Sequence, residues 1–339
     1  MTMNYYVYPL RFLGPVHFGD TANGGNLEKV KLQYSADSFY SAFCNELGFD
    51  TVQLKRFCEL FHSGQLIFSS LFPYYWEGEG QGEMEFFLPR PIKPQEKPVA
   101  ITGFKETKRT ATALKKLKKV AYYRASVLCD VTGKVANKDV NALALPTFGS
   151  MMTVERINRR SEKGEPYFVG SYVFAPNAGL YFIAGFESDE IKAIFDQWLQ
   201  LLSLSGIGGK RSSGYGKFEM ADDEFEVYDD EFSYADIRAI SQLITRLNAS
   251  LYMNISPVIP REEELDIVKD GFYTLKKCGG FVQSHGVINT VKRNTCYVIA
   301  EGSCFSKPLQ GRILQLEAKG IPHEVERNGL GLFVGVDYE

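Results

Sequence analysis

The densest run of chemically capable residues is Gly206-Ile207-Gly208-Gly209-Lys210-Arg211-Ser212-Ser213-Gly214-Tyr215-Gly216-Lys217-Phe218, five glycines among three cations and two serines. Glycine lets the backbone reach positive φ and lets another molecule approach the main chain. Successive loop amides form a concave seat for an anion, and Lys210, Arg211 and Lys217 add charge. The segment before the loop predicts a helix, with Ser188 as N-cap, Asp189 and Glu190 in its first turn, and Ile191, Ile194, Phe195, Trp198, Leu199 and Leu202 at helical spacing. Lys217 to Tyr228 predicts a strand. Helix, loop, strand is the reverse of a Walker phosphate loop, whose spelling is absent. A helix C-terminus also repels anions. Phosphate held here must therefore rest on loop amides and side-chain cations.

A second glycine-bearing loop, Gly14-Pro15-Val16-His17-Phe18-Gly19-Asp20, follows a predicted first strand over Asn4 to Phe12. Gly24 and Gly25 continue it. Ser35 or Asp37 is the expected N-cap of a helix carrying Phe39, Tyr40, Phe43, Cys44 and Leu47 on one face. A capped helix start beside a glycine loop is a natural phosphate seat, with Gly19, Ser35, Asp37 and Ser38 in reach.

Net charge is −3 over 339 residues, which by itself argues against a nucleic-acid partner. Distribution matters more. Residues 90–138 hold 13 Lys/Arg against three acids, leaving the rest near −13. Lys105, Lys108 and Arg109 lie in this proline-flanked block, which is expected to be an inserted arm lying along a polyanion. Six scattered cysteines without C-x-x-C spacing point to reduced thiols in a cytoplasmic protein rather than to zinc or disulfides. No apolar run is long enough to span a membrane, and no metal or cofactor is expected.

The remaining elements are predicted as a helix over 51–62, strands at 66–71 and 84–88, a strand at 151–157, and a hairpin of 167–174 with 179–186 about Ala175-Pro176-Asn177-Ala178. An acidic seam at 221–231 precedes a helix over 233–248. Strands at 251–255, 273–283, 296–305, 311–316 and 330–336 follow. The expected class is α+β with two ferredoxin-like (RRM-like) domains. The first, residues 1–220, carries the arm and the glycine loop; the second, 221–339, is degenerate.

The glycine loop resembles that of the RAMP superfamily of repeat-associated RNA-binding proteins in CRISPR effector complexes. Leu10-Arg11-Phe12-Leu13-Gly14-Pro15-Val16-His17-Phe18-Gly19, Ser35-Ala36-Asp37-Ser38-Phe39-Tyr40-Ser41-Ala42, Val154-Glu155-Arg156-Ile157-Asn158-Arg159, Gly279-Gly280-Phe281-Val282 and Glu301-Gly302-Ser303-Cys304-Phe305 narrow the resemblance to the fourth-subunit family of the type III-A Csm complex. Glu155 stands where that family often has Asp, and Lys277-Cys278 where it has arginine nearby. The resemblance implies a non-catalytic, crRNA-binding scaffold of a ribonucleoprotein of antiviral defence. Such a subunit grips the 5′ tag of the CRISPR RNA, docks the large polymerase-cyclase subunit and the backbone RAMP subunit, and meets target RNA only indirectly. Its thumb would separate tag from guide. Expected RNA contacts are His17, Gly19, Ser35, Asp37, Ser38, Lys105, Lys108, Arg109, Arg156, Arg159, Gly206, Gly208, Gly209, Lys210, Arg211, Ser212, Ser213, Gly214, Tyr215, Lys277, Gly279 and Gly280.

The alternative is a metal-independent endoribonuclease that processes CRISPR transcripts. It needs a proton carrier beside a 2′-hydroxyl, and His17 has the only suitable setting among the four histidines. Cleavage of target RNA through a loop aspartate, Asp20 or Asp37, is a third reading.

Overall fold

A computed structural model describes residues 3–19, 27–77, 82–92, 120–130, 145–158, 164–222, 224–227, 234–282, 291–317, 321 and 323–337. The first part runs β1 (Asn4–Phe12), α1 (Ala36–Leu47), α2 (Thr51–His62), β2 (Leu66–Phe68), β3 (Phe72–Trp76), β4 (Met84–Pro89), β5 (Tyr122–Arg124), α3 (Ala125–Asp130), β6 (Gly149–Asn158), β7 (Glu165–Phe174), β8 (Ala178–Phe186), α4 (Asp189–Ser205), β9 (Phe218–Met220) and β10 (Phe225–Glu226). The chain continues through α5 (Ala235–Thr245), β11 (Leu251–Asn254), α6 (Leu265–Lys269), β12 (Leu275–Cys278), β13 (Phe281–Val282), β14 (Val291–Lys292), β15 (Cys296–Ile299), β16 (Cys304–Phe305), β17 (Leu314–Leu316), β18 (Val325–Arg327) and β19 (Phe333–Val336).

The main sheet has the order β10-β1-β8-β3-β4-β5, with β9 also on β1 and β2 also on β8, all antiparallel. Strand β8 is buried along its whole length. Its alternating side chains serve two cores, as the period of two requires. Leu180, Phe182, Ala184 and Phe186 join Tyr8 of β1 and an aromatic cluster from α1, α2 and α4, including Phe39, Phe43, Phe57 and Phe195. Tyr181 and Ile183 join Val7, Phe72 and Phe86 against Ile237, Ile240 and Leu243 of α5 and Val334 of β19. Both sides of the acidic seam thus contribute to one core. Asp236, fully buried at the start of α5, fastens the layers. Its carboxylate accepts from the Phe86 amide at 2.8 Å, the Ser126 amide at 2.9 Å and Arg124 Nε at 2.9 Å.

The Ser188 cap expected for α4 is present, and α2 carries a cap that was not anticipated. Asp50 accepts from the amides of Val52 and Gln53, and Ser188 from that of Ile191.

Three strand expectations are corrected. Residues 167–174 and 179–186 do not form a hairpin: β7 pairs with β6 over ten residue pairs, while β8 enters the sheet between β1 and β3. Both edges of β8 are taken, by β1 and by β3, so none is left for β7. The predicted strand at 217–228 is two short pieces, both on β1. The one at 273–283 breaks at Gly279 and Gly280, and Val325–Arg327 pairs with Leu314–Leu316 without having been read as a strand.

Candidate functional site: a cation-lined cleft between the two halves

The glycine loop folds against the loop that follows β1. The Gly209 amide donates to the His17 carbonyl at 2.8 Å, the Gly216 amide to the Pro15 carbonyl at 3.0 Å, and the Leu13 amide to the Lys217 carbonyl at 2.9 Å. Close approach dictates the glycines. A Cβ at Gly216, where φ is +77°, would lie 1.9 Å from the Ile207 carbonyl oxygen, and one at Gly208 2.8 Å from that of His17. Most of these glycines therefore admit the chain itself; only Gly214 faces open space.

Beside this junction lies a cleft of about 360 Å³. One wall holds His17, Phe18 and Gly19, the start of α1 with Tyr34, Ser35 and Ser38, and Gly208, Gly209 and Arg211. The opposite wall belongs to the C-terminal half: Lys276, Gly280, Phe281 and Arg293. Four cations, Lys31, Arg211, Lys276 and Arg293, line the cleft, and no carboxylate does so among the described residues. Phe281 presents a ring that is 53% exposed. A neighbouring cleft holds Lys210 and Ser212 and shares Asn45, Gly208, Gly209 and Arg211 with the first.

Tyr34 ties the first wall together. Its hydroxyl donates to the Ser38 carbonyl at 3.2 Å and accepts from the Gly208 amide at 3.3 Å. Burial pushes this hydroxyl up to about 12, with the Gly208 amide and Arg211 opposing, so it stays a donor at neutral pH. Gln33 also lines the cleft, and its buried Nε2 has no hydrogen-bond partner among the described residues.

Asp37 requires a correction. Ser35 occupies the N-cap position of α1 without a side-chain bond, and Asp37 lies inside the helix, 3% exposed. Its carboxylate turns away from the cleft and accepts from Arg327 Nη1 at 2.6 Å and the Asn328 amide at 3.1 Å, with Arg293 Nη2 at 3.7 Å. Asp37 neither caps the helix nor lines the cleft; it clamps the C-terminal half to α1. Arg327 is 1% exposed, and its Nε and Nη2 have no partner among the described residues.

Lys277 is the second correction. Alternation along β12 turns Lys276 toward the cleft and leaves Lys277 exposed opposite Tyr297. Gly279 is buried, and its carbonyl accepts from Arg293 Nε at 3.2 Å. Burial lowers the Arg293 guanidinium from its ordinary value, and Asp37 opposes this. Arg293 and Phe281 were not anticipated as site residues. Phe281 follows the glycine pair, a usable signal, whereas nothing local marks Arg293.

Ser213, Gly214 and Tyr215 lie toward the β6–β7 ribbon rather than in the cleft. Arg156 sits 5.8 Å from the Tyr215 ring centroid, with Nη1 3.4 Å from Ser213 Oγ. Tyr215 is buried, so its ring is no platform for a base. Lys210 Nζ stands 5.5 Å from the Tyr167 ring centroid, within cation–π range. Gly206 ends α4 with φ of +79°. Asp20, Lys105, Lys108, Arg109 and Arg159 fall outside the described residues. Among the described residues no group of three or more His, Cys, Asp or Glu is arranged to hold a metal ion, and no helix is long and apolar enough to cross a membrane.

Comparison with known proteins places this geometry. The RAMP superfamily matches residues 10–219, and the CRISPR Csm4 C-terminal domain matches residues 247–336. The chain is 28% identical to the CRISPR system Cms protein Csm4 of Streptococcus thermophilus, covering 98% of each chain. It is 27% identical to the protein of that name from Mycobacterium tuberculosis, covering 90% of this chain and 89% of the other. Among solved structures, a chain of the Csm3-Csm4 subcomplex in the type III-A CRISPR-Cas interference complex aligns with a TM-score of 0.60 at 14% identity, over 99% of this chain and 100% of that one. A chain of the Csm1-Csm4 cassette in complex with pppApA aligns at 0.55 and 17% identity, over 100% and 99%. At those identities the structures establish the fold. Both walls of the cleft fall inside the matched segments, and the chain belongs to the RAMP superfamily, in its Csm4 family.

Proposed function

We propose that this protein is the crRNA-binding, non-catalytic subunit of a type III-A CRISPR ribonucleoprotein in the cytoplasm, holding the single-stranded 5′ tag in the cleft. The observation that carries the reading is the lining: four cations and no carboxylate in a chain whose net charge is −3. Segregation of charge of this kind suits a polyanion. The exposed Phe281 ring beside the cations suits a splayed base of a single strand. The order β9-β1-β8-β3, with α1 and α4 on one face, supports a ferredoxin-like first unit. Of the block at about 90–138 expected to be a basic arm, residues 122–130 form β5 and α3 against the sheet, and the arm remains proposed for the part outside the described residues.

The relatives solved as Csm1–Csm4 and Csm3–Csm4 assemblies support docking to a large polymerase-cyclase subunit and a backbone RAMP subunit. Target RNA would then be met through those neighbours. The test is equilibrium binding of labelled single-stranded tag RNA to the purified chain across a salt series. Arg211→Ala and Lys276→Ala should each flatten the slope of log K against log salt by roughly 0.7. An unchanged slope in both folded variants would remove the cleft from the RNA path.

The processing-nuclease alternative rests on His17, the only histidine among the cleft-lining residues described. Acid–base cleavage needs a second proton carrier for the leaving oxygen, and Tyr34, held protonated by burial and already bonded twice, is poorly placed to cycle. Incubating the pure protein with labelled repeat RNA, with and without magnesium, separates the readings. A discrete product that vanishes with His17→Ala would establish the nuclease.

A further inference from the structure

His17 is the one imidazole among the described cleft-lining residues, and it can meet a strand as a hydrogen-bond acceptor. Its Nδ1 lies 2.7 Å from the Gly170 carbonyl oxygen. A carbonyl only accepts, so Nδ1 carries a proton, and with that proton alone on the ring Nε2 presents a lone pair. Main-chain bonds fix the ring: the His17 carbonyl accepts from the Gly209 amide, and neighbouring Val16 exchanges two bonds with Tyr172. The imidazole is 7% exposed.

The Nε2–Cδ2 edge faces two glycines. A Cβ at Gly209 would stand 2.6 Å from Cδ2, and one at Gly19 3.4 Å from Nε2. Both glycines line the cleft with His17, and their missing side chains leave room along this edge. A phosphate oxygen brings only lone pairs, which an acceptor repels. Among groups present on every nucleotide of an RNA strand, the 2′-hydroxyl is the donor, and DNA lacks it.

Resting on the RNA-binding reading above, we infer that His17 Nε2 accepts a hydrogen bond from a ribose 2′-hydroxyl, making His17 the residue by which the cleft prefers RNA to DNA. The cations hold either strand; His17 reads the sugar.

The experiment measures binding of the full chain to a single-stranded RNA, its all-deoxy counterpart of matching sequence, and a set with one 2′-deoxy position each. Wild type should prefer RNA, and one deoxy position should account for most of the preference. His17→Ala should weaken RNA binding roughly three- to tenfold, the range of one hydrogen bond, and leave DNA binding unchanged. Combined with the critical deoxy position, it should add no further loss. Gly19→Ala places a Cβ in ordinary contact 3.4 Å from Nε2, so it retains the imidazole but covers its edge and should lose the preference in the same way, guarding against misfolding of His17→Ala. Arg211→Ala should weaken both strands alike. Equal loss of RNA and DNA on His17→Ala would overturn the inference while leaving RNA binding intact. So would dependence on a base substitution rather than on the 2′-hydroxyl, which would make the donor a base N–H. If wild type binds no strand, the RNA reading falls and this inference with it.

Discussion

The two walls of the cleft are held in different ways. The N-terminal wall, with His17 to Gly19, the start of α1 and the glycine loop, is locked by main-chain bonds from Gly209 and Gly216. The C-terminal wall is mostly side chain: Lys276, Phe281 and Arg293 project from short strands β12, β13 and the segment after β14. The amides of Gly208, Gly209 and Gly216 are spent within the chain, so the first wall is rigid and its charge for a ligand comes from side chains such as Arg211. Side-chain walls supply charge and a stacking face but depend on being held at the right distance. Here the holding is done by buried Asp37, Arg327 and Arg293.

The sharpest way to break the comparison is to cut that clamp. Asp37→Ala leaves Arg327 buried without its counter-charge and should cost about 3–5 kcal/mol of stability, read by denaturant unfolding. Adding Arg327→Met should restore most of it. A loss below 1 kcal/mol would mean that apolar packing alone holds the walls together.

Next comes the backbone wall. Gly216→Ala forces a Cβ against the Ile207 carbonyl at positive φ and should cost about 3 kcal/mol or more. Gly214→Ala, also at positive φ but in open space, should cost only about 1–2 kcal/mol. The two midpoints of thermal unfolding give the ranking directly; equal shifts would show that φ strain, not the carbonyl clash, governs the loop.

On the side-chain wall, Phe281→Ala should weaken RNA binding by about 1–3 kcal/mol with no change in salt slope, as expected of a stacked base. A change in slope instead would show that the ring positions a cation. The smallest effect separates adjacent lysines. Lys276→Ala should reduce the salt slope by roughly 0.7, and Lys277→Ala, on the opposite face of β12, should leave it unchanged. Reversed outcomes would mean that the strand is turned over when RNA binds.

How much of this was legible depended on how local the cause was. Ser188 capping α4, the apolar spacing along α4 and α5, and the first strand at Asn4–Phe12 all act within a few residues, and all were readable. So was the glycine and cation content of residues 206–217, whereas the packing of that loop against the His17 loop was not. Asp37 misled because an acid in a first turn satisfies the helix dipole whether it caps, binds a ligand's neighbour or pairs with a distant arginine. Its partner Arg327 lies 290 residues away.

Sequence alone therefore determined the chemistry available: glycine-rich loops with cations, a histidine between glycines, and six cysteines without C-x-x-C spacing. Tertiary structure decided the use. It sent β8 into the centre of a sheet instead of a hairpin with β7, because a strand apolar on both faces is stable only when covered on both. It chose Lys276 over Lys277 through a register that pairs β12 with β15. It brought Arg293 and Phe281 of the C-terminal half opposite Gly208 and Ser38 of the first, making one cleft of two half-sites. Propensity and capping are set by neighbours in sequence; burial, register and the facing of two walls are set by packing between segments hundreds of residues apart, which no local pattern encodes.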